Sequence, residues 1–491
     1  MNYFNKALLF VLSSFVSVAL CSGANGQSLK LGSLFSNDMV LQQQTDATIW
    51  GVAAPNEKVS ISVSWDRKTY DTVAGPDGSW KTRIKTPEAG GPHKVTVKSG
   101  KDTIELENVL SGEVWICSGQ SNMQWKLRGF GVDHWKEDVE KAKFPNIRLC
   151  QVSQVIALEG QSTVGAKWST CTPQSAINFS AVGYFFGREL YEELNVPIGL
   201  ISVNWGGSSA EAWVAQDTLT EKFPEFTTRM NEYPQMIEDT GTTYSAKKPK
   251  GLNQRNPAVL YNGMIEPLLT YAMRGVIWYQ GESNVSSPVQ YRTLFPTVIN
   301  DWRERWGIGE FSFYYVQIAP FNYKTNPGVA AYLREAQTMA LSVPNTGMAV
   351  TMDIGNPTNI HPKVKKPVAN RLARLALAKD YGKTDLVYSG PLYKASKVQD
   401  DIVWLAFDHI GGGLISRDGE ALTHFTIAGE DQKFVNAKAV TNGKTVMVSS
   451  EEVSNPVAVR YGWGNADMPN LANKEGLPAS SFRTDDWPIK K

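Results

Sequence analysis

The sequence predicts an α/β domain flanked by two β-rich regions, and two observations carry this prediction. In the middle of the chain, short apolar strands alternate with helical stretches, which is typical of a largely parallel sheet. On both sides, runs of β-branched residues are separated by turn formers, which predicts β structure. The three predicted regions are 27–108, 109–384 and 385–491, and a chain of 491 residues suits three domains.

The first region reads as a small β-sandwich. Its predicted strands are Thr48–Trp50, Val59–Val63 and Lys94–Val97, and Gly/Pro/Asn turns separate them. The third region is predicted to be β-rich on the same grounds. Its strands are Asp401–Phe407, Ala437–Val440, Thr445–Val448 and Val457–Tyr461.

The central region carries the alternation of strands and helices. The predicted strands are Glu113–Cys117, Ile198–Val203, Gly275–Tyr279 and Phe313–Ile318, and the predicted helices are Val182–Leu194 and Val368–Ala378. In sheets of this kind, ligands bind where strands end and loops begin. Polar motifs that directly follow these strands are therefore the candidates for chemistry.

Composition and charge restrict the class of partner. Hydrophobic residues make up 42% and charged residues 20% of the chain, ordinary values for a globular protein. The formal net charge is +1, so the whole protein does not attract nucleic acid or anionic membrane. We expect no nucleic-acid partner and a neutral or weakly charged substrate.

The N-terminus resembles an export signal. Lys6 precedes an apolar run from Ala7 to Cys21, and Ala24-Asn25-Gly26 has the small–x–small form of a cleavage site. The run is too short for a comfortable membrane span. We therefore expect residues 1–26 to be a signal peptide and the mature protein to be soluble, periplasmic or secreted. Lipidation at Cys21 is an alternative, although Leu20 is bulkier than that processing prefers.

Cysteine and histidine spacing gives no support for a metal site. There is no C-x-x-C pair and no pair of histidines at ligand spacing, so we expect neither a metal nor another cofactor. Cys117 lies in an apolar strand, where a buried thiol is expected. Cys150 and Cys171 could form a disulfide, and the sequence leaves this open.

The first candidate catalytic residue is Ser121. Gly119-Gln120-Ser121-Asn122-Met123 follows a predicted strand, so the turn would present the serine hydroxyl at the strand's carboxyl end. This is not the G-x-S-x-G elbow, since position 123 is Met. On local sequence alone, a helix N-cap serine is the competing interpretation.

A serine hydroxyl needs a base, and His361 is the candidate among five histidines. It stands at the end of a Gly/Pro/Asn loop that begins with Asp353, just ahead of a predicted helix. Donors for an oxyanion hole could come from two further segments that follow strands. These are Asn204-Trp205-Gly206-Gly207-Ser208 and Trp278-Tyr279-Gln280-Gly281-Glu282-Ser283-Asn284.

Together these motifs resemble the sialate O-acetylesterase family of carbohydrate esterases, within the SGNH hydrolases. The resemblance rests on G-Q-S-N-M, N-W-G-G-S, W-Y-Q-G-E-S-N and the late D…I-H-P, in this order. Leu260–Ile265, Val459–Trp463 and the segments after it also resemble that family, so the likeness covers nearly the whole mature chain. It implies a flavodoxin-like three-layer SGNH domain with Ser121 as nucleophile and His361 as base.

The resemblance also implies the groups around this pair. The oxyanion would be held by the Ser121 N–H, by the N–H of Gly206 or Gly207, and by a side-chain amide. Gln280 is our first choice for that amide and Asn284 our second. The acid that orients His361 stays open, because position 358 is Thr where many SGNH enzymes have aspartate. Glu282 is favoured, Asp353 assists or competes, and either could instead only hold a loop.

The favoured substrate is an O-acetylated sialic acid, and the alternative is acetylxylan or another acetylated polysaccharide. From a different class, a non-catalytic carbohydrate-binding protein or a GDSL-like lipase is considered. The intact Ser121 and His361 argue against the first, and the lack of an amphipathic lid argues against the second. A sialic acid carries a carboxylate, for which Arg128 and Arg255 are candidate partners by sequence proximity.

Overall fold

The computed structural model describes residues 28–130, 134–240, 252–324 and 326–489. The predicted signal peptide, residues 1–26, and Cys21 within it lie outside the described residues. In the part of the chain that is described, none of the helices is both long and apolar enough to cross a membrane.

The N-terminal β region contains eight strands in two sheets. One sheet has the order β1-β3-β6, and the other joins β5, β4, β7 and β8, with β2 alongside β8. Side chains of β4 alternate between core and surface, as its sequence pattern predicts. The strands are β1 Lys30–Leu31, β2 Val40–Gln42, β3 Asp46–Val52, β4 Lys58–Val63, β5 Thr69–Val73, β6 Ser79–Lys85, β7 Gly90–Ser99 and β8 Asp102–Gly119.

Strand β8 belongs to two parts of the fold. Its first half pairs with β7, and its second half, from Glu113 to Gly119, lies in the middle of the central sheet. The sequence places a domain boundary between residues 108 and 109 and a separate strand at Glu113–Cys117. The structure has one continuous strand of 18 residues there. The N-terminal region is therefore joined to the strand that carries the G-Q-S-N-M motif.

The central sheet has the order β10-β9-β11-β8-β12-β13-β14. All neighbours are parallel except β10, which forms an antiparallel hairpin with β9 at one edge. Because β11, β8 and β12 are adjacent and parallel, the loops that follow them meet at one edge of the sheet. The added strands are β9 Phe144–Val152, β10 Ala166–Cys171, β11 Ile198–Asn204, β12 Gly275–Tyr279, β13 Ser312–Val316 and β14 Thr346–Ala349.

Helices cover both faces of this sheet. Val114 and Ile116 of β8 point into one core with α8 and α9, whereas Trp115 and Cys117 point into another with α4 and α10. The α-helices are α1 Ser121–Gln124, α2 Lys136–Glu140, α3 Pro173–Ala176, α4 Ala181–Leu194, α5 Gln216–Lys222, α6 Pro224–Asn231, α7 Tyr233–Thr240, α8 Pro288–Trp306, α9 Val329–Met339 and α10 Lys366–Lys379. Mixed α/β architecture with a covered parallel sheet is thus confirmed.

The C-terminal region is β-rich and has its own core. Its strands form two four-stranded sheets and one two-stranded sheet. Arg334 of α9 is fully buried and donates to the carbonyl oxygens of Gly462 and Gly464, which fixes this region against the central domain. The strands are β15 Leu392–Gln399, β16 Ile402–Asp408, β17 Leu414–Ser416, β18 Phe425–Ala428, β19 Val435–Asn436, β20 Lys438–Thr441, β21 Thr445–Ser449, β22 Ala458–Tyr461, β23 Leu471–Asn473 and β24 Phe482–Arg483.

Cys150 and Cys171 are both free thiols. In the β9–β10 hairpin, Cys150 lies opposite Trp168 and Cys171 lies opposite Phe144, and the two side chains enter different cores. The disulfide that the sequence left open is therefore not formed. Cys117 is fully buried in β8, as predicted, and burial raises the pKa of its thiol.

Candidate active site

The turn after β8 presents Ser121 at the carboxyl edge of the sheet. Gly119 has a φ of 131°, and a Cβ added there would lie 2.2 Å from the carbonyl oxygen of Tyr279 on β12, so only glycine fits. The next residue, Gln120, donates its N–H to the same oxygen at 2.9 Å. These constraints reverse the chain directly after the strand, and α1 begins at Ser121.

Ser121 and His361 are in hydrogen-bond contact. The distance between Ser121 Oγ and His361 Nε2 is 2.8 Å, although 240 positions separate the two residues in the sequence. Asn359 holds the histidine loop in place, because its Oδ1 accepts the His361 N–H at 2.9 Å. The ring of Trp125 packs on the imidazole with a centroid separation of 4.4 Å.

The surroundings of His361 favour the neutral form of its imidazole. Burial lowers the pKa of His361 from its usual value, and the positive charge of Lys365 lowers it further. A neutral imidazole can leave Nε2 unprotonated, so that this nitrogen accepts the Ser121 hydroxyl proton. The contact distance and the lowered pKa are both compatible with a nucleophile and its base.

Asn122 lies at the centre of a buried polar network beside this pair. Its side chain is 1% exposed. The amide nitrogen donates to a carboxylate oxygen of Glu282 and to the backbone oxygen of Ile360, the latter at 3.1 Å. The amide oxygen accepts from the ammonium group of Lys365. One side chain thus connects the serine turn, the Glu282 turn and the histidine loop.

The two candidate acids do not contact His361 directly. Both carboxylate oxygens of Asp353 are engaged by Arg371, at 2.8 and 2.6 Å. Glu282 is 7% exposed and bonds to Asn122. Among the described residues, no carboxylate oxygen bonds to the His361 ring. The expected direct contact between Glu282 and His361 is wrong, because Asn122 lies between Glu282 and the histidine loop. Asp353 binds Arg371 and so fixes α10.

Burial also shifts Glu282 and Lys365. It raises the pKa of Glu282, while the hydrogen bond from Asn122 and the charge of Lys365 act in the opposite direction. It lowers the pKa of Lys365 to about 7, while the charge of Glu282 raises it. The site thus holds a buried acid and a buried base that partly compensate each other.

The glycine loop after β11 lies against the nucleophile. A Cβ added at Gly206 would be 3.5 Å from Ser121 Cβ. The N–H of Gly206 donates to Gln124 Oε1 at 2.6 Å, so Gln124 already occupies this donor. Gly207 has a φ of 73°. Among the described residues, no acceptor is found for the N–H groups of Ser121 and Gly207.

Gln280 and Asn284 lie inside a hydrogen-bond network. Gln280 is fully buried, its nitrogen donates to Ser208 O and Asn284 Oδ1, and its oxygen accepts from Tyr291. Both amide hydrogens of Gln280 are therefore used, so the prediction that Gln280 donates to the oxyanion is wrong. Asn284 donates to Glu211 at 2.9 Å and accepts from the Ala210 N–H. Both residues fix the loop that carries the glycines.

Comparison with known proteins shows the family of this chain. The family profile of "Carbohydrate esterase, sialic acid-specific acetylesterase" matches residues 111–378, more than half of the chain. The sialate O-acetylesterase of Homo sapiens is 32% identical over 406 residues, which cover 75% of this chain and 74% of that protein. The chain belongs to the sialic acid-specific acetylesterase family of carbohydrate esterases.

Two further relatives match a larger share of this chain. The sialate O-acetylesterase of Mus musculus is 32% identical over 425 residues, covering 77% of this chain and 78% of that protein. The crystal structure of a novel carbohydrate acetylesterase from Xanthomonas citri superposes with a TM-score of 0.83. It is 37% identical and covers 94% of this chain and 100% of that one. This acetylesterase-family chain is a serine ester hydrolase that acts on acetylated carbohydrate.

Arg128 and Arg255 are the two carboxylate partners predicted from the sequence. Arg255 is exposed, and its Nε donates to the carbonyl oxygen of Gly207 at 3.1 Å, so its guanidinium lies beside the glycine loop. Arg128 is also exposed and lies in the turn Leu127–Phe130. Of the two, only Arg255 contacts a residue of the predicted oxyanion site.

Four residues that shape the site are not evident from the sequence alone. Asn122 stands inside the recognised motif, and its position next to Ser121 was the available signal. Gln124 and Trp125 follow it on the same turn, and no pattern distinguishes them from surface residues. Lys365 lies in a run of three lysines within four residues, which is typical of a solvated helix start.

No metal centre is evident in the described part of the chain. Across residues 28–130, 134–240, 252–324 and 326–489, no group of three or more His, Cys, Asp or Glu side chains could hold an ion. The expectation of a reaction without a metal therefore stays a prediction, which chelation can test.

Proposed function

We propose that this protein removes acetyl groups from O-acetylated sialic acid through an acetyl-enzyme formed on Ser121. The observation that carries the mechanism is the 2.8 Å contact between Ser121 Oγ and His361 Nε2. That distance is suited to transfer of the hydroxyl proton to the imidazole as the oxygen attacks.

The reaction then proceeds in two steps. Ser121 Oγ forms a bond to the acetyl carbonyl carbon while its proton passes to His361 Nε2. The bond from that carbon to the sugar oxygen breaks, and the imidazolium gives its proton to that oxygen, which leaves as a sugar hydroxyl. Water then attacks the acetyl-enzyme, with His361 accepting its proton, and acetate leaves as Ser121 regains its hydrogen.

The oxyanion of each tetrahedral intermediate would be held by backbone donors. The N–H groups of Ser121 and Gly207 support this role, because they have no acceptor among the described residues. Gly206 could contribute only after Gln124 Oε1 moves away from its N–H. Each donor of this kind stabilises the transition state by about 3 kcal/mol.

Glu282 would act on His361 through Asn122. The carboxylate fixes the Asn122 amide, and that amide holds the backbone oxygen of Ile360, the residue before His361. A carboxylate in this position favours one orientation of the histidine loop. Glu282 would thus orient the histidine as a triad acid does, but it would act through Asn122 and the backbone of Ile360 rather than on the imidazole itself.

The sialic acid preference is supported by Arg255. A sialic acid carries a carboxylate, and a guanidinium is its best bidentate partner. Arg255 donates to the carbonyl oxygen of Gly207, which places its guanidinium beside the glycine loop. The competing substrate is an acetylated polysaccharide, because the Xanthomonas citri relative is a carbohydrate acetylesterase.

Competition between two substrates tests this assignment. We expect a higher kcat/KM on O-acetylated sialic acid than on acetylated xylose oligomers, and a smaller preference at high salt because an exposed ion pair is screened. Equal or better activity on acetylated xylose oligomers would remove the sialate assignment and leave the esterase activity in place.

We further propose a flavodoxin-like three-layer SGNH domain and export of the mature chain. The order β11-β8-β12-β13-β14 supports the first, since it corresponds to 2-1-3-4-5 when these strands are counted along the chain. The sequence of residues 1–26 supports the second. Periplasmic or culture-medium fractions that contain a chain beginning near Gln27 would agree with export.

A further inference from the structure

Lys365 is a buried lysine next to the catalytic pair. It is 0% exposed and stands four positions after His361, directly before α10. Its ammonium nitrogen donates to Asn122 Oδ1 and lies 5.4 Å from the ring centroid of Tyr279. A lysine at this depth is rare in proteins.

Fold stability does not explain this lysine. Removing an ammonium group from water is costly, and α10 begins at the next residue, where the helix dipole disfavours a positive charge. Glu282 compensates only in part, because a buried ion pair often stabilises a fold no better than apolar residues of the same size. An uncharged side chain of similar length would suit a purely structural position at least as well.

The contacts of Asn122 show what the ammonium group does. An amide can be flipped, and only one orientation places its oxygen toward a donor and its nitrogen toward acceptors. Lys365 accepts no hydrogen bond, so it directs the Asn122 oxygen to itself and the nitrogen to Glu282 and Ile360. Asn122 directly follows Ser121, and Ile360 directly precedes His361.

We propose that Lys365 is a positioning residue of the esterase: through Asn122 it aligns Ser121 with His361, and its charge acts on the histidine. The proposal rests on the proposed function, in which Ser121 and His361 perform the reaction. It adds to that function a group that touches neither the substrate nor the reacting atoms.

The charge of Lys365 has a consequence for the pH dependence of catalysis. The ionisable groups around the network are Glu282, Lys365 and His361, together with the phenols of Tyr279, Tyr291 and Tyr323, whose pKa values burial raises above 10. Asp353 is held by Arg371. Of these, Lys365 is the group that lowers the pKa of His361 by its charge.

The sign of the expected shift follows directly. His361 must be neutral to accept a proton, so kcat/KM decreases as the pH falls through its pKa. The positive charge of Lys365 disfavours the charged form of His361 and so lowers the pKa of the imidazole. Loss of the positive charge therefore raises the pKa of His361 and moves the acidic limb of the profile to higher pH.

Two variants separate the charge from the hydrogen bond. Lys365→Gln removes the charge but keeps a side-chain N–H donor, whereas Lys365→Met removes both. Lys366→Met is the matched control, because the neighbouring lysine is half-exposed and pairs with Asp138 at 3.5 Å. We would measure kcat/KM on 4-nitrophenyl acetate against pH, with circular dichroism and thermal midpoints to confirm folding.

We expect both Lys365 variants to move the acidic limb upward by about half a pH unit or more. Lys365→Met should also lower kcat by about 10- to 100-fold, because a misaligned serine loses the attack geometry. Lys365→Gln should retain more activity than Lys365→Met. Lys366→Met should keep the wild-type kcat and the wild-type midpoint of the acidic limb.

A folded Lys365→Gln or Lys365→Met variant with the wild-type limb and kcat would overturn the proposal. If only Lys365→Met fails to fold, the Lys365→Gln variant tests the proposal. The Ser121→Ala variant separates this failure from that of the proposed function. If Ser121→Ala is inactive and the limb does not move, only the role of Lys365 is wrong, whereas an active Ser121→Ala variant removes both.

Discussion

The Asn122 side-chain nitrogen donates to the backbone oxygen of Ile360 at 3.1 Å. This bond joins the residue after the nucleophile to the residue before the histidine, across 238 positions of sequence. The two halves of the catalytic pair are therefore fixed relative to each other by a side chain that does not itself react.

Ser121→Ala should abolish esterase activity while leaving the fold intact. The hydroxyl contacts His361 and is replaced by a smaller apolar group, so we expect at least about a 1,000-fold loss of kcat. Hydrolysis of 4-nitrophenyl acetate measures this, with the exposed loop serine in Ser286→Ala as a control that should behave like the wild type. Near-normal turnover by a folded Ser121→Ala protein would show that the nucleophile is elsewhere.

Glu282→Gln should reduce turnover more than Asp353→Asn, and Asp353→Asn should reduce stability more. Glu282 acts on the reacting residues through Asn122, whereas Asp353 pairs with the buried Arg371. Weakening that pair should cost about 1–3 kcal/mol of unfolding free energy. Parallel measurements of kcat and denaturant midpoint test both statements, and the reverse ranking of kcat would assign the acid role to Asp353.

The acidic limb of the wild-type kcat/KM profile should have its midpoint below pH 6.5. Burial and Lys365 both lower the pKa of His361 from its usual 6.5, so neutral imidazole persists to more acidic pH than for a free histidine. A pH series with 4-nitrophenyl acetate at constant ionic strength measures the midpoint. A midpoint above 6.5 would contradict the effect of these surroundings.

Treatment with EDTA should leave the activity unchanged. The proposed reaction uses Ser121, His361 and backbone donors, and no step needs a Lewis acid. Activity after dialysis against the chelator, compared with an untreated sample, tests this. A large loss that a single divalent ion restores would point to a different mechanism.

Arg255→Gln should raise KM for O-acetylated sialic acid and leave hydrolysis of 4-nitrophenyl acetate unchanged. The guanidinium beside Gly207 is placed to contact a carboxylate, which 4-nitrophenyl acetate lacks. We expect about a tenfold rise in KM, as for a partly exposed charged hydrogen bond. Arg128→Gln is the matched control, and an equal effect of both variants would argue against a specific role for Arg255.

Local sequence patterns were sufficient for most of the elements that carry the site. The strand Gly275–Tyr279 was predicted with the observed ends, and the helix predicted at Val182–Leu194 is α4, Ala181–Leu194. Both have strong apolar patterns and clear turn residues at their ends. The order of motifs along the chain predicts the pairing of Ser121 with His361. The strand before His361, β14, lies three places from β8 in the sheet, so the long loop after β14 carries the histidine back to the serine.

Other features depend on tertiary contacts that the sequence does not display. Helix α8 is not among the helices predicted from the sequence. It contains Pro296, which disfavours a helix locally, yet it continues through this residue to Trp306. Gln280 was chosen as an oxyanion donor by its position in the motif, whereas its amide is used by Ser208 and Asn284. Burial of Lys365 could not be read from a run of lysines, since charge alone predicts exposure.

Strand β8 ties the folding of two regions together. A chain cut before residue 109 would lose β7 and β2, which flank the first half of the strand that ends at the nucleophile. We therefore expect the N-terminal β region and the catalytic sheet to melt in one calorimetric transition. An engineer who wishes to exchange the N-terminal region for another module would have to supply a new partner for an exposed strand edge.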